Sequence, residues 1–210
     1  MKIAIIGAGN VGTSLGSGWA KAGHQIIYGV RNPQDEKARQ LKAEAAGAEV
    51  TTYADAARAA EVVVISTRWG ATEAAVRACG NLRGKTVIDV TNPLKPDISG
   101  LDCGFNTSGG EQVAQWANGA EVFKTMNQVG FNLMDHPEFR SGLKPVMFLA
   151  GSGAGKAKVL QLVSDLGFEA IEAGGLEYAR LLEPLAMLWI HLAYSKGGPG
   201  RDFAFSLLRK

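Results

Sequence analysis

The sequence predicts an α/β protein with a doubly wound, mostly parallel sheet and a small C-terminal helical part. Three observations predict it. A glycine-rich turn, Gly7-Ala8-Gly9-Asn10-Val11-Gly12, directly follows the apolar run Ile3–Ile6. Strand-like and helix-like segments alternate through the first half of the chain, as in parallel βαβ units. Several of the strands, such as Val62-Val63-Val64-Ile65 and Val87-Ile88, are short continuous apolar runs, the pattern of strands covered on both faces. Together these features describe a Rossmann-type fold.

The elements follow in order. A first strand, Lys2–Ile6, leads into a helix near Val11–Ala22, with Val11, Leu15, Trp19 and Ala22 at helical spacing. The second strand, Gln25–Gly29, precedes a helix near Gln34–Ala46, for which Asn32 is the expected N-cap and Pro33 the first position. Strands Glu49–Thr51, Glu61–Ser66 and Lys85–Val90 alternate with helices near Tyr53–Ala60 and Ala71–Cys79. Asn92-Pro93 ends the fifth strand and opens a strand-poor stretch to about Ala120. Within it, Ser108-Gly109-Gly110-Glu111 is a capping box that starts a helix through Trp116. Glu121–Met126 and Pro145–Ala150 read as further strands, Gly153–Leu166 as a helix and Phe168–Ile171 as a short strand. A long final helix, Leu176–Tyr194, carries Leu181, Leu185, Leu188, Trp189 and Leu192 on one stripe. That stripe is expected to pack against the rest of the chain or against a second subunit.

Composition narrows the class. The 210 residues are 46% hydrophobic and 20% charged, as in soluble globular proteins. A net charge of +2, with no basic cluster interleaved with aromatics, argues against a nucleic-acid surface. Cys79 and Cys103 show neither metal-ligand spacing nor a disulfide framework, which fits a reducing, cytoplasmic setting. The first strand starts at Lys2, leaving no room for a secretion signal, and no apolar run reaches the roughly 20 residues of a membrane helix.

The glycine turn reads as an anion site for a dinucleotide. Gly7 permits the sharp turn, Gly9 leaves room for a pyrophosphate, and Gly12 lets the helix approach the strand. Free N–H groups and the positive helix end then face the phosphates. An acidic residue about 20 positions further on would bind the adenosine ribose of NAD. Here the second strand ends Tyr28-Gly29-Val30-Arg31-Asn32-Pro33, with no carboxylate at its tip. Arg31 offers a planar fork to a 2′-phosphate, Asn32 a neutral donor, and Lys37 a second cation one turn into the next helix. The pattern favours NADP(H).

The segments MKIAIIGAGNVG, YGVRNP, Asp89-Val90-Thr91-Asn92-Pro93-Leu94 and Lys124-Thr125-Met126-Asn127 resemble the NADPH-dependent coenzyme F-420 reductase family. This group is related to the N-terminal domain of pyrroline-5-carboxylate reductase and to the cytosolic domain of the STEAP metalloreductases. The likeness continues through Pro145–Gly151, Ala173-Gly174, Ala179–Glu183 and Asp202–Phe205. It implies an NADP-binding Rossmann domain over residues 1–150 and a small part, 151–210, that closes the cofactor cleft, usually in a homodimer. It also implies that Asn10 and Val11 contact the pyrophosphate and that Ser66, Thr67, Arg68 and Trp69 lie along the nicotinamide. Asn92, Pro93 and Thr125–Asn127 would border the hydride-transfer cleft. Relatives commonly carry Ser or Asn at the position of Val30, and Pro at that of Arg68.

The expected reaction moves a hydride between NADP(H) and a deazaflavin or flavin-like acceptor. Alignment of the two rings is its main requirement, and no catalytic acid–base pair is predicted. Reduction of a small imine, carbonyl or ferric substrate, and NADP sensing without turnover, are the alternatives. Of the three histidines, His24 reads as a surface turn residue and His191 as a packing residue; His136 is the candidate for a substrate role. Gly151–Ala157 superficially resembles a P-loop but lacks its first glycine and its Ser or Thr, so it reads as a turn entering a helix.

Overall fold

The computed structural model describes residues 1–45 and 47–210. One eight-stranded sheet organises them, in the order β3-β2-β1-β4-β5-β6-β7-β8. Its strands are β1 (Lys2–Ile6), β2 (Gln25–Val30), β3 (Glu49–Thr52), β4 (Val62–Ile65), β5 (Thr86–Asp89), β6 (Glu121–Lys124), β7 (Val146–Ala150) and β8 (Glu169–Gly174). All neighbours run parallel except β6 and β7, which meet antiparallel at the single register pair Lys124–Ala150. The strand order reverses on either side of β1 and β4. Ligands of open α/β sheets bind at such a switch point, outside the carboxyl ends of the strands.

Among the described residues seven α-helices cover the sheet: α1 (Asn10–Lys21), α2 (Glu36–Glu44), α3 (Tyr53–Ala59), α4 (Trp69–Ala78), α5 (Gly109–Trp116), α6 (Lys156–Asp165) and α7 (Ala179–Tyr194). One apolar cluster packs Ile3, Ile5 and Val64 under α1 and α6, with Leu15, Trp19 and Leu162. The other packs Ala4, Val63 and Val87 under α3, α4 and α5, with Ala56, Val76 and Val113. Within the first cluster Trp19 is fully buried and donates its indole N–H to the Leu162 carbonyl at 2.8 Å. Partnering that polar tip removes the penalty of burying it.

Four expectations shift. Helix α2 begins at Glu36, because the Asp35 carboxylate accepts the Ala38 N–H at 2.8 Å and caps it; Asn32 instead closes a turn by accepting the Gln34 N–H at 3.0 Å. Its expected end at Ala46 lies outside the described residues. Helix α4 starts at Trp69, two residues before the expected Ala71. Strand β8 runs on to Gly174 and extends the sheet beyond residue 150.

The fourth shift is a rotation of α7. It buries Leu182, Glu183, Ala186, Trp189 and Ala193, whereas Leu181 and Leu188 are 64% and 48% exposed. The leucine stripe thus points outward at those two positions. The cause is Glu183, whose buried hydrogen bonds set the rotation of the helix.

Candidate functional site

At the carboxyl end of β1 the backbone of Gly7 takes a φ of 102°, a conformation that only glycine adopts without strain. Gly7 N–H is held by the Gly29 carbonyl at 3.1 Å, tying the turn to β2. The α1 helix presses so closely on this turn that a Cβ on Gly12 would lie 2.1 Å from the Gly7 oxygen and 2.7 Å from Ser66 Oγ. Ser66 Oγ donates to the Gly7 carbonyl at 2.6 Å, which ties the turn to the end of β4. By contrast, a Cβ on Gly9 would meet nothing within 4 Å. That space lies in front of the helix start.

Helices α2, α3 and α5 have their first turns capped by the side chains of Asp35, Thr52 and Ser108. Helix α1 has Gly9 at that position, no side-chain cap and no acidic residue in its first turn. Its N–H groups and positive end are left for an external anion. The P-loop-like turn makes an instructive contrast. There Glu121 accepts from Ala154 N and Gly155 N at 3.1 and 2.7 Å, so the chain's own carboxylate occupies the entry to α6.

Beyond β2, a cavity of about 310 Å³ is lined by Val30, Arg31, Tyr53, Ala71, Ala75 and neighbouring small residues. Its small-residue lining suits a flat purine ring, with the exposed Arg31 at its rim. Asp35, the nearest acidic residue in the chain, is committed to capping α2. The exposed Lys37 stands on the first turn of α2.

On the other side of the glycine turn, cavities of about 870 and 550 Å³ share Val11, Asn92, Leu94 and Ile98 and form one cleft. Ser66, Thr67, Arg68 and Trp69 line the larger half, and Asn127 the smaller. Asn92 and Asn127 are locked together: Asn92 Nδ2 donates to the Asn127 carbonyl, and Asn127 Nδ2 to Asn92 Oδ1, both at 3.0 Å. Met126, fully buried at a φ of 57°, turns the chain between β6 and this pair. Trp69 donates its indole N–H to Asp102 at 3.2 Å and packs on Trp116, fixing the loop after Leu94 as one wall. Pro93 is buried and accepts the Asp102 N–H through its carbonyl at 2.6 Å; it shapes the loop rather than lining the cavity.

Sequence reasoning missed a charge cluster beneath this cleft. Lys124, Asp89 and Glu183 are all fully buried. Lys124 Nζ lies 2.8 Å from Asp89 Oδ2 and 3.1 Å from Glu183 Oε1. Burial opposes the charge on Lys124, but the two carboxylates overcome it and raise its pKa. Glu183 also accepts from Gly109 N and Gly110 N at 2.9 and 3.0 Å, taking up the start of α5. The signal available in the sequence was a charged residue at the end of an apolar strand, in both Val-Ile-Asp89 and Val-Phe-Lys124. Burial, with Glu183 the next contributor, pushes the nearby Cys103 thiol up to about 11, so it stays protonated.

The histidines are also reassigned. His24 is a bridge, with Nε2 2.8 Å from Asp165 and Nδ1 3.1 Å from the terminal amine of Met1. His136 sits beside Glu138 in a separate groove that shares no lining residue with the cleft. His191 is exposed and does line the cleft's smaller half. Among the described residues no cluster of metal-ligating side chains occurs, and no helix is long and apolar enough to cross a membrane.

Residues 2–93 match the family described as NADP oxidoreductase, coenzyme F420-dependent. The F420-dependent NADP reductase of Methanothermobacter thermautotrophicus is 31% identical over 91% of this chain and 89% of its own length. A solved structure from Arthrobacter sp. FB24, assigned as an F420-dependent NADP-reductase, is 32% identical, with a TM-score of 0.89 over the whole of both chains. An imine reductase from Aspergillus terreus shares the fold at 22% identity and a TM-score of 0.68, covering 90% of this chain and 61% of its own. With a glycine cradle at the switch point, Arg31 in place of an acidic residue, and this degree of identity along nearly its full length, the chain belongs to the coenzyme F420-dependent NADP oxidoreductases and is an NADP-dependent oxidoreductase.

Proposed function

We propose that the protein transfers a hydride between NADP(H) and a deazaflavin or flavin-like ring seated in the cleft beneath the Leu94–Leu101 loop. The observation that carries this reading is the continuity of the site. The α1 start and residues lining the Arg31 cavity and the Asn92–Asn127 cleft follow the carboxyl ends of β1, β2, β4, β5 and β6, and Ala71 lines both the cavity and the cleft. NADPH, when bound, supplies a hydride from its nicotinamide ring.

In this reading Gly7 shapes the turn while Gly9, Asn10, Val11 and Gly12 receive the pyrophosphate through backbone N–H groups, and Arg31 with Asn32 and Lys37 receives the 2′-phosphate. Ser66, Thr67 and Trp69 border the nicotinamide. The locked Asn92–Asn127 pair, with Pro93 behind it, supports the face on which the acceptor stacks. Holding the two rings together in a reactive alignment is the main contribution to rate. An acceptor ring that takes a hydride also takes one proton, and the open cleft gives it access to solvent, so no protein acid is required. Residues 151–210 supply one wall, through α7 and the segment after it, and close the cleft. A homodimer fits the same reading, with the outward Leu181 and Leu188 available for its interface.

The test mixes purified protein with NADPH and, in turn, a deazaflavin, FMN, riboflavin and a ferric chelate, following the nicotinamide absorbance band. Oxidation with a deazaflavin or flavin is expected. Oxidation by the ferric chelate alone, or tight NADPH binding with no oxidation at all, would overturn the reading.

A further inference from the structure

We propose that Arg201 anchors an anionic group, a carboxylate or a phosphate, on the electron acceptor. This rests on the reading above, that the cleft takes an acceptor ring beside the nicotinamide. Arg201 lines the smaller half of the cleft together with Val11, Asn92 and Asn127. Its guanidinium carbon lies 4.4 Å over the ring of Phe131, and Nη2 donates to Asn132 Oδ1 at 3.3 Å. The Nε atom is buried and has no hydrogen-bond partner among the described residues, nor does Arg201 enter any salt bridge there. A buried N–H left unpaired is costly, and a cation without a counter-ion more so.

The guanidinium is also held in place from behind. The chain around it is fixed by Trp189 Nε1 donating to the Phe203 carbonyl at 3.0 Å and by Val146 N donating to the Phe205 carbonyl at 2.9 Å. Asn132 Nδ2 ties down the neighbouring Asp202 at 2.8 Å. Trp189 and Phe203 stack with ring centroids 5.3 Å apart. Asp97, an acidic residue on the same cavity, is engaged by Ser99 N and Ser99 Oγ at 3.0 and 2.7 Å. A pre-positioned, partly desolvated guanidinium on the cleft wall, its charge unmatched by any carboxylate within salt-bridge distance among the described residues, suits the oxygens of a carboxylate or phosphate. A neutral acceptor would leave that charge unmatched, so Arg201 makes acceptor charge a determinant of affinity.

FMN and riboflavin test this, because they share one ring system and differ by a phosphate. Their binding to NADP⁺-saturated protein is measured by quenching of flavin fluorescence, which needs no turnover. FMN is expected to bind about tenfold or more tightly than riboflavin, as for one charge-assisted paired contact. Arg201→Gln should remove that gap by weakening FMN alone, and Arg201→Lys should restore part of it. Should Arg201→Gln fail to fold, Arg201→Lys, which keeps the charge but not the fork, must still weaken FMN selectively. Equal affinity for the two flavins in the unaltered protein overturns the proposal. So does absence of FMN binding, or equal weakening of both flavins by Arg201→Gln, which marks a purely structural role. A charge-dependent gap in binding without NADPH oxidation by any acceptor would sustain the anchor while removing the hydride-transfer reading.

Discussion

Lys124 Nζ lies 3.1 Å from Glu183 Oε1, with both side chains fully buried. Asp89 makes the cluster two carboxylates to one ammonium, and the positive start of α5 offsets the excess negative charge. The arrangement joins β5, β6, α5 and α7 at one point under the cleft. Removing one member strands the other charges without solvent. Lys124→Met is therefore expected to cost about 3–5 kcal/mol in urea unfolding. A loss under about 1 kcal/mol would mean the cluster does not hold these elements together.

Gly9 and Gly12 should separate binding from folding. Gly9 sits at a φ of −83° with open space around its missing Cβ, so Gly9→Ala should leave the unfolding midpoint nearly unchanged while obstructing the pyrophosphate. Gly12→Ala places a methyl 2.1 Å from the Gly7 oxygen, and the resulting overpacking should cost about 1–3 kcal/mol. Thermal unfolding beside NADPH titration checks both. A Gly9→Ala protein that binds NADPH normally would refute the cradle.

Arg31 is expected to carry the preference for NADPH. Arg31→Asp should lower NADPH affinity relative to NADH by at least about tenfold, one charge-assisted contact being lost and a repulsion added. Fluorescence titration with each nucleotide measures the ratio. An unchanged ratio would remove Arg31 from the 2′-phosphate site.

Arg180 donates to Glu111 through Nε at 2.9 Å and Nη2 at 2.6 Å, and this pairing, more than any other contact, holds the Glu111 carboxyl below its usual 4.5. The folded-state value lies under the unfolded one, so the pair stabilises the fold above pH about 4.5 and loses that contribution as pH falls. Glu111→Gln should flatten the acid limb of a stability-versus-pH curve. An acid limb identical in the two proteins would contradict the assignment.

The outward leucines of α7 predict an assembly effect. If they form the homodimer contact, Leu188→Glu should shift the protein to monomer in light-scattering chromatography, with the unfolding midpoint of the monomer little changed. A protein that is monomeric without the substitution would refute the contact.

Much of the fold was legible because its signals are local. Apolar runs, a capping box at Ser108 and a glycine turn each act within a few residues, and all three lie where expected. What was misread depends on distant partners. The leucine stripe of α7 was expected to pack inward, yet Lys124 and the Gly109 and Gly110 amides, distant in sequence, draw Glu183 inward and turn Leu181 and Leu188 out. Asn32 was expected to cap α2, but a charged acceptor at Asp35 takes the role and displaces the helix start. At the site, Arg31 could be read from the end of one strand. Arg201 could not, since its place at the cleft comes from Trp189 and Asn132 holding the chain around it.

The junction between β6 and β7 carries a last consequence. Its ladder offers one register pair, and side chains do the remaining stitching: Thr125 Oγ1 donates to the Phe148 carbonyl at 3.0 Å, while Gln128 both donates to that carbonyl and accepts the Phe148 N–H, each at 3.0 Å. Elsewhere in the sheet, adjacency is a property of the backbone and survives most substitutions. Here it is written in the identity of two polar residues. The eight strands thus behave mechanically as two boards joined by a replaceable seam, and amide exchange at Phe148 would report whether that seam opens before the boards themselves.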